Sequence, residues 1–221
     1  MITIKEIKKT YQSEVLKGVD FSLGREKVYC LLGRNGSGKT TLMKLMAGIL
    51  DYDSGAIQID GDLRHEEAFH YVSEHPVFLE YLSGFENLKF VMRLHRLSLS
   101  ENELRSFVDK QGISGFADDL VVNYSQGMKH QLSLAIAFLI EPEVLLLDEP
   151  LVSLDPINIV EMHKRLKDYA QKGRIVFIST HMLPIAHRLG DVILLLKDGK
   201  VKQVNNEFTE KELETFVLDE I

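Results

Sequence analysis

Positive charge is in short supply: the 221 residues carry 26 Lys and Arg against 33 Asp and Glu, a formal net charge of −7. With no basic excess to replace phosphate counterions, a nucleic-acid partner is not expected. Cysteine is nearly absent. Cys30 is the single one, it has no partner for a disulfide, and a reducing, cytosolic setting fits. Long apolar runs are missing too. The N-terminal MITIKEIKKTYQ lacks the apolar core of a secretion signal, and stretches such as Leu134 to Ile140 are far too short to span a bilayer. Any membrane role is therefore expected to fall to another chain. Neither an internal repeat nor a low-complexity linker divides the sequence, so one functional unit is expected, not two.

What is present is ordinary in bulk, 45% hydrophobic and 27% charged, which suits one large soluble domain with a well-filled core. The informative stretch is VYCLLGRNGSGKTTL, Val28 to Leu42. Its centre, Gly33, Arg34, Asn35, Gly36, Ser37, Gly38, Lys39 and Thr40, is a G-x-x-x-x-G-K-[ST] phosphate loop, preceded by an apolar strand and followed by the helical pattern Leu42, Leu45, Met46. Glycines let successive backbone N–H groups turn inward, and a helix opening near Lys39 adds its positive N-terminal dipole, so the loop predicts an anion cradle. Lys39 then reaches β- and γ-phosphates, and the Thr40 hydroxyl is a candidate ligand for Mg²⁺. The competing reading is a glycine-rich turn with an exposed lysine; a chance match to the motif in a chain this long has a probability of about 1%.

Along the chain, Ile2 to Lys8 and Val15 to Leu23 alternate as half-buried strands, and the loop helix is expected over Lys39 to Leu50. A short strand follows at Ala56 to Ile59 and another apolar piece at Ala68 to Val72, before Ser73, Glu74, His75 and Pro76. Two capping boxes then open helices, Ser83 with Glu86 and Ser100 with Glu103, and Gly112 suits a left-handed position past the second. A third helix is expected over Ser125 to Ile140, stopped by Pro142. With no strand-like run in 77–120, this part predicts a helical insertion set into an α/β core with a parallel sheet. The continuous run Val144 to Leu147 suits a strand buried on both faces. Asp155 is placed to cap the next helix, with Pro156 at its first position and Gly173 past its end. Arg174 to Ser179 predicts a second buried strand. Asp191 to Leu196 and Lys200 to Val204 then make a hairpin, and a last helix opens at Thr209 with Glu212.

The buried run ends in Asp148 and Glu149. Asp148 is the candidate that helps hold Mg²⁺, and Glu149 the candidate that polarises a water for attack on a γ-phosphate; the plain alternative is that both cap the following turn. His181, just after the second buried strand, reaches the same sheet edge if the strands are parallel. There it can donate to a γ-phosphate or serve as an ordinary helix-cap histidine; taken alone, the cap is favoured. The other seven histidines show no metal-ligand spacing. Tyr11, in a turn between the first two strands, can stack on a base, although an aromatic at a strand end more often simply packs.

Together these motifs resemble those of the ATP-binding subunits of ABC transporters, in the family order, from about residue 2 to residue 205. The resemblance implies a P-loop NTPase fold with a mainly parallel central sheet, an N-terminal antiparallel β-subdomain and an inserted α-helical subdomain at about 77–140, the core being 1–76 and 141–221. It implies that Tyr11 stacks on adenine and that GRNGSGKT, with Thr41, is the Walker A loop. VLLLDE at 144–149 resembles Walker B with Glu149 as the catalytic glutamate. SLD at 153–155 is similar to the D-loop, and His181 matches the switch histidine. Two departures stand out. Where the family carries a Gln between core and insert, this chain has Glu74; a carboxylate also coordinates a hard cation, but adds negative charge near phosphates. The signature, usually LSGGQ, is here Tyr124, Ser125, Gln126, Gly127, Met128. Ser125 and Gly127, the positions expected at the γ-phosphate held by an opposite subunit, are kept. This form is similar to a variant of bacterial and archaeal exporter-type ATPases.

The resemblance further implies ATP and Mg²⁺ as cofactors and a second ATP-binding subunit, identical or closely related, closing head to tail on this one. It implies integral membrane transporter subunits as partners, met on the cytoplasmic face of the membrane, with apolar residues of Pro76 to Leu82 receiving a helix from another chain. A soluble ABC-type ATPase of cofactor assembly is an alternative. A P-loop kinase leaves YSQGM, SLD and His181 unexplained.

Overall fold

A computed structural model describes residues 1–61, 65–150 and 156–220, without the side chains of 66, 67 and 156–159. The chain begins with two long antiparallel strands, β1 (Ile2–Thr10) and β2 (Glu14–Leu23), then β3 (Lys27–Leu32), α1 (Lys39–Met46), β4 (Ser54–Ile59), a single helical turn α2 (His65–Ala68) and β5 (Phe69–Val72). A helical run follows: α3 (Gly84–Leu94), α4 (Glu101–Gln111) and α5 (Gln126–Ile140). The remainder alternates: β6 (Val144–Asp148), α6 (Pro156–Ala170), β7 (Ile175–Thr180), α7 (Leu183–Leu189), the hairpin β8 (Val192–Lys197) and β9 (Lys200–Asn205), and α8 (Glu210–Glu220).

Two sheets result. A three-stranded antiparallel sheet has the order β2-β1-β4, and a six-stranded sheet the order β5-β6-β7-β3-β8-β9. In the second, β5, β6, β7, β3 and β8 run parallel and only the edge strand β9 is antiparallel. The parallel strands read as unbroken apolar runs because both their faces are covered. Tyr29, Leu31, Leu146, Phe177 and Leu194 pack on Leu42, Met43 and Met46 of α1 and on the antiparallel sheet. Cys30, Leu32, Leu145, Leu147, Val176 and Ile178 point the other way, onto α6 and α7 and onto Leu134 and Ala137 of α5. A third apolar cluster, with Phe85, Leu88, Leu104, Val108, Leu132 and Ile136, belongs to the helical subdomain. Helix α5 contributes to two clusters at once, so it buries more than the single face of Leu132, Ile136 and Leu139 visible in its spacing.

Local signals explain most boundaries. Both capping boxes form: the Ser83 and Ser100 hydroxyls accept from the Glu86 and Glu103 backbones, and both glutamates reach back. Gly112 closes α4 at φ 72°, and Asp198 with Gly199, both at positive φ, makes the tight turn between β8 and β9. One boundary differs from expectation. Helix α1 stops at Met46 and not at Leu50, because Gly48 adopts φ 69° and closes a Schellman turn. Gly48 N–H donates to Leu45 and Ile49 N–H to Lys44.

Register brings the strand ends level. Leu32 lies beside Thr180 and Asp148 beside Ser179. The loop after β3, the carboxylates after β6 and the histidine after β7 therefore leave the sheet along one edge, where parallel α/β sheets place ligands.

A phosphate cradle at the sheet edge

Residues 33–38 wrap back over the start of α1. Gly33 is tightly confined: an added Cβ would lie 2.6 Å from Ser37 Oγ and 2.9 Å from the Leu196 carbonyl oxygen. Gly38 is the N-cap of α1 at φ 106°, without a side-chain cap and with no acidic residue in the first turn. The opening N–H groups of α1 are thus left for an external acceptor. The Ser37 hydroxyl is also buried without a hydrogen-bond partner. An uncapped helix N-terminus beside an orphaned hydroxyl fits phosphate oxygens, which would satisfy both.

Lys39, only 7% exposed, folds over this loop and donates to the carbonyls of Gly33 at 2.9 Å and Arg34 at 3.3 Å. Its ammonium also lies 3.7 Å from Glu149. On β6, alternation turns Asp148 to the α1 side with Val144 and Leu146. Its two oxygens accept hydrogen bonds from the Tyr71 hydroxyl at 2.8 Å and the Ser179 hydroxyl at 2.5 Å. Glu149 follows at φ 49°, a left-handed conformation costing about 1 kcal/mol for a non-glycine residue. Its N–H donates to Ser179 Oγ, and its carboxylate leaves the line of Asp148. His181 Nδ1 lies 3.1 Å from both Glu149 oxygens. This corrects the helix-cap reading: the N-cap of α7 is Met182, and the imidazole is turned to Glu149.

An open cleft of about 450 Å³ gathers these groups. Tyr11, Asn35, Gly36, Gly38, Lys39, Thr40, Thr41, Glu74, Asp148, Glu149 and His181 all line it. Tyr11 stands 55% exposed at its mouth, with Lys9 Nζ 5.5 Å over its ring. Val15 lines the cleft too; as one more alternating strand residue it gave no signal in the sequence. Thr40, Asp148 and Glu74, which line the cleft together, offer hard oxygens of the kind that suits Mg²⁺.

Ser125, Gln126, Gly127 and Met128 lie elsewhere. Ser125 is the N-cap of α5 and accepts from the Met128 N–H. Ser125 and Gln126 are exposed, and none of the four lines the cleft. Among the described residues nothing requires a glycine at 127, where an added Cβ would approach only Ser125 Oγ, at 3.9 Å. Asp155 and the rest of 153–155 lie outside the described residues.

Sheet order and cradle together define a P-loop nucleotide-binding domain. The model of the ABC transporter family matches residues 16–152. The chain is 33% identical over 208 residues to the lantibiotic transport ATP-binding protein SrtF of Streptococcus pyogenes, covering 91% of this chain and 89% of that protein. It is also 33% identical over 220 residues to the uncharacterized ABC transporter ATP-binding protein YdbJ of Bacillus subtilis, covering 96% of this chain and 71% of that protein. A solved structure described as the ATP-binding subunit of an ABC transporter superposes with a TM-score of 0.88 at 28% identity, over 99% of each chain. This chain belongs to the ABC transporter family, as an ATP-binding domain. Among the described residues, no helix is long and apolar enough to cross a membrane.

Proposed function

We propose that this chain is the ATP-hydrolysing subunit of an ABC transporter, a single ATP-binding domain with its core at 1–76 and 141–221 and a helical insertion at about 77–140. The observation that carries the reading is the division of labour in the geometry. The phosphate loop, Asp148, Glu149 and His181 converge in one cleft, whereas the N-terminus of α5, with Ser125 and Gln126 exposed, stands apart from it and carries Gly127, which no contact among the described residues requires. A second copy, or a close relative, turned head to tail would bring that helix end, with Gln126 and Met128, against the open side of the cleft.

In this reading Tyr11 stacks on the adenine, the N–H groups of residues 33–41 hold the phosphates, and Lys39 neutralises their β- and γ-oxygens. Thr40, Asp148 and Glu74 would hold Mg²⁺, which would supply positive charge against that of the phosphates. Glu149 accepts the proton of the attacking water, and His181 holds the Glu149 carboxylate and reaches the γ-phosphate. A groove of about 500 Å³ lined by His70, Pro76, Val77, Phe78, Leu79 and Phe90, among others, receives a helix of an integral membrane subunit on the cytoplasmic side. Transport accords with the resemblance to a lantibiotic transport ATP-binding protein, and the signature form YSQGM favours export.

Size-exclusion chromatography of Glu149→Gln tests the reading. With ATP and Mg²⁺ the variant should shift from monomer to dimer, and Ser125→Arg should abolish the shift. A monomer that hydrolyses ATP at full rate, independent of protein concentration, would refute it.

A further inference from the structure

Asp148 is held from both sides. Ser179, its neighbour across the β6–β7 register, donates to Oδ1, and Tyr71 donates to Oδ2 across a sequence separation of 77 residues. Tyr71 sits in β5 opposite Leu146, and its ring packs against the apolar cluster that includes Leu146. A phenylalanine would fill that position as well, so packing does not account for the hydroxyl.

We infer that Tyr71 is a positioning residue for the metal site: its hydroxyl fixes the plane of the Asp148 carboxylate, so that the remaining lone pairs face the divalent cation that accompanies the nucleotide. A carboxylate oxygen that accepts one hydrogen bond still has a lone pair for a cation, and such outer partners orient the ligand they touch. The inference rests on the assignment of Asp148 to Mg²⁺. It also gives β5 a second role. Tyr71 borders the groove beside Ser73 and Pro76 while its hydroxyl grips a residue of the nucleotide cleft, so a displacement of β5 from the groove side reaches the metal ligand directly.

Tyr71→Phe keeps the ring and removes the hydroxyl. Affinity for ADP and for a non-hydrolysable ATP analogue would be measured by calorimetry in EDTA and across a Mg²⁺ series, and Mn²⁺ binding to the nucleotide complex by electron paramagnetic resonance. The expected result is unchanged metal-free affinity with Mn²⁺ and Mg²⁺ affinity lower by about tenfold, the smaller end of the effect of removing an outer-shell partner. Unchanged metal affinity overturns the inference. So does an equal loss with and without metal, because the hydroxyl would then act on the nucleotide pocket as a whole. Asp148→Asn in the same titrations separates the two levels. If metal dependence survives Asp148→Asn, the assignment of Asp148 falls and the inference with it. If it is lost there but intact in Tyr71→Phe, only the role of Tyr71 falls.

Discussion

Acid should loosen this protein through His70. The imidazole lies in β5 against the helical subdomain, and burial, helped by the nearby His95, pushes its pKa from 6.5 down to about 4. In the unfolded chain the ring takes up a proton near its ordinary value, whereas the folded protein resists until far lower pH. Between these two values the unfolded state binds more protons, so stability rises with pH across the window and falls on acidification. At pH 5 the unfolded ring is almost fully charged and the folded one almost neutral, which costs about 2 kcal/mol relative to pH 7. Urea unfolding of the wild type and of His70→Gln at pH 7, 6 and 5 isolates this contribution from the carboxylates common to both proteins. The wild type should lose about 2 kcal/mol more than the variant over that range, with equal urea dependence in the two. Parallel losses in the two proteins would refute the reasoning and mean that the folded state accepts the His70 proton freely.

Two further outcomes follow from packing. Gly33→Ala drives a methyl group into the Leu196 carbonyl oxygen and Ser37 Oγ; it should cost about 1–3 kcal/mol of stability and lower ATP affinity by about tenfold or more, as a misplaced anion cradle would. Gly115→Ala, where nothing lies within 4 Å, is the control and should change neither in calorimetry or urea unfolding. Leu146→Ala empties a fully buried position between β5 and β7 and should destabilise by about 2–5 kcal/mol in urea unfolding; a loss below about 1 kcal/mol would mean that the sheet collapses into the space.

Features written within a few residues of each other were legible in the sequence. The phosphate loop, the capping boxes at Ser83 and Ser100 and the Asp198-Gly199 turn each depend on local backbone chemistry, and their signals survive without knowledge of the fold. The start of helix α7 was placed at His181 and not at Met182 because Met182, its N-cap, provides no side-chain hydrogen bond. The end of α1 was misplaced because apolar Ile49 and Leu50 continue the helical spacing, while the Gly48 turn that ends the helix is a backbone event. Long-range pairings were invisible for a different reason. Spacing alone favoured a cap for His181 and only the family resemblance gave it a catalytic place, which the sheet supports by setting it beside Glu149; the Tyr71 hydroxyl gained its meaning only from a strand that lies 77 residues away. Spacing gives the face on which a side chain lies, but not the partner that another strand brings to it.

Lys39 ties the phosphate loop to the carboxylate that follows β6. With its ammonium on the Gly33 and Arg34 carbonyls and near the Glu149 carboxylate, Lys39 serves as an internal counterion. On the proposed function, Lys39 can turn to a phosphate only by loosening those ties, and Glu149 then loses its nearest fixed cation while keeping His181. Admission is thus an exchange of anions around one lysine, and the exchange unmasks the carboxylate.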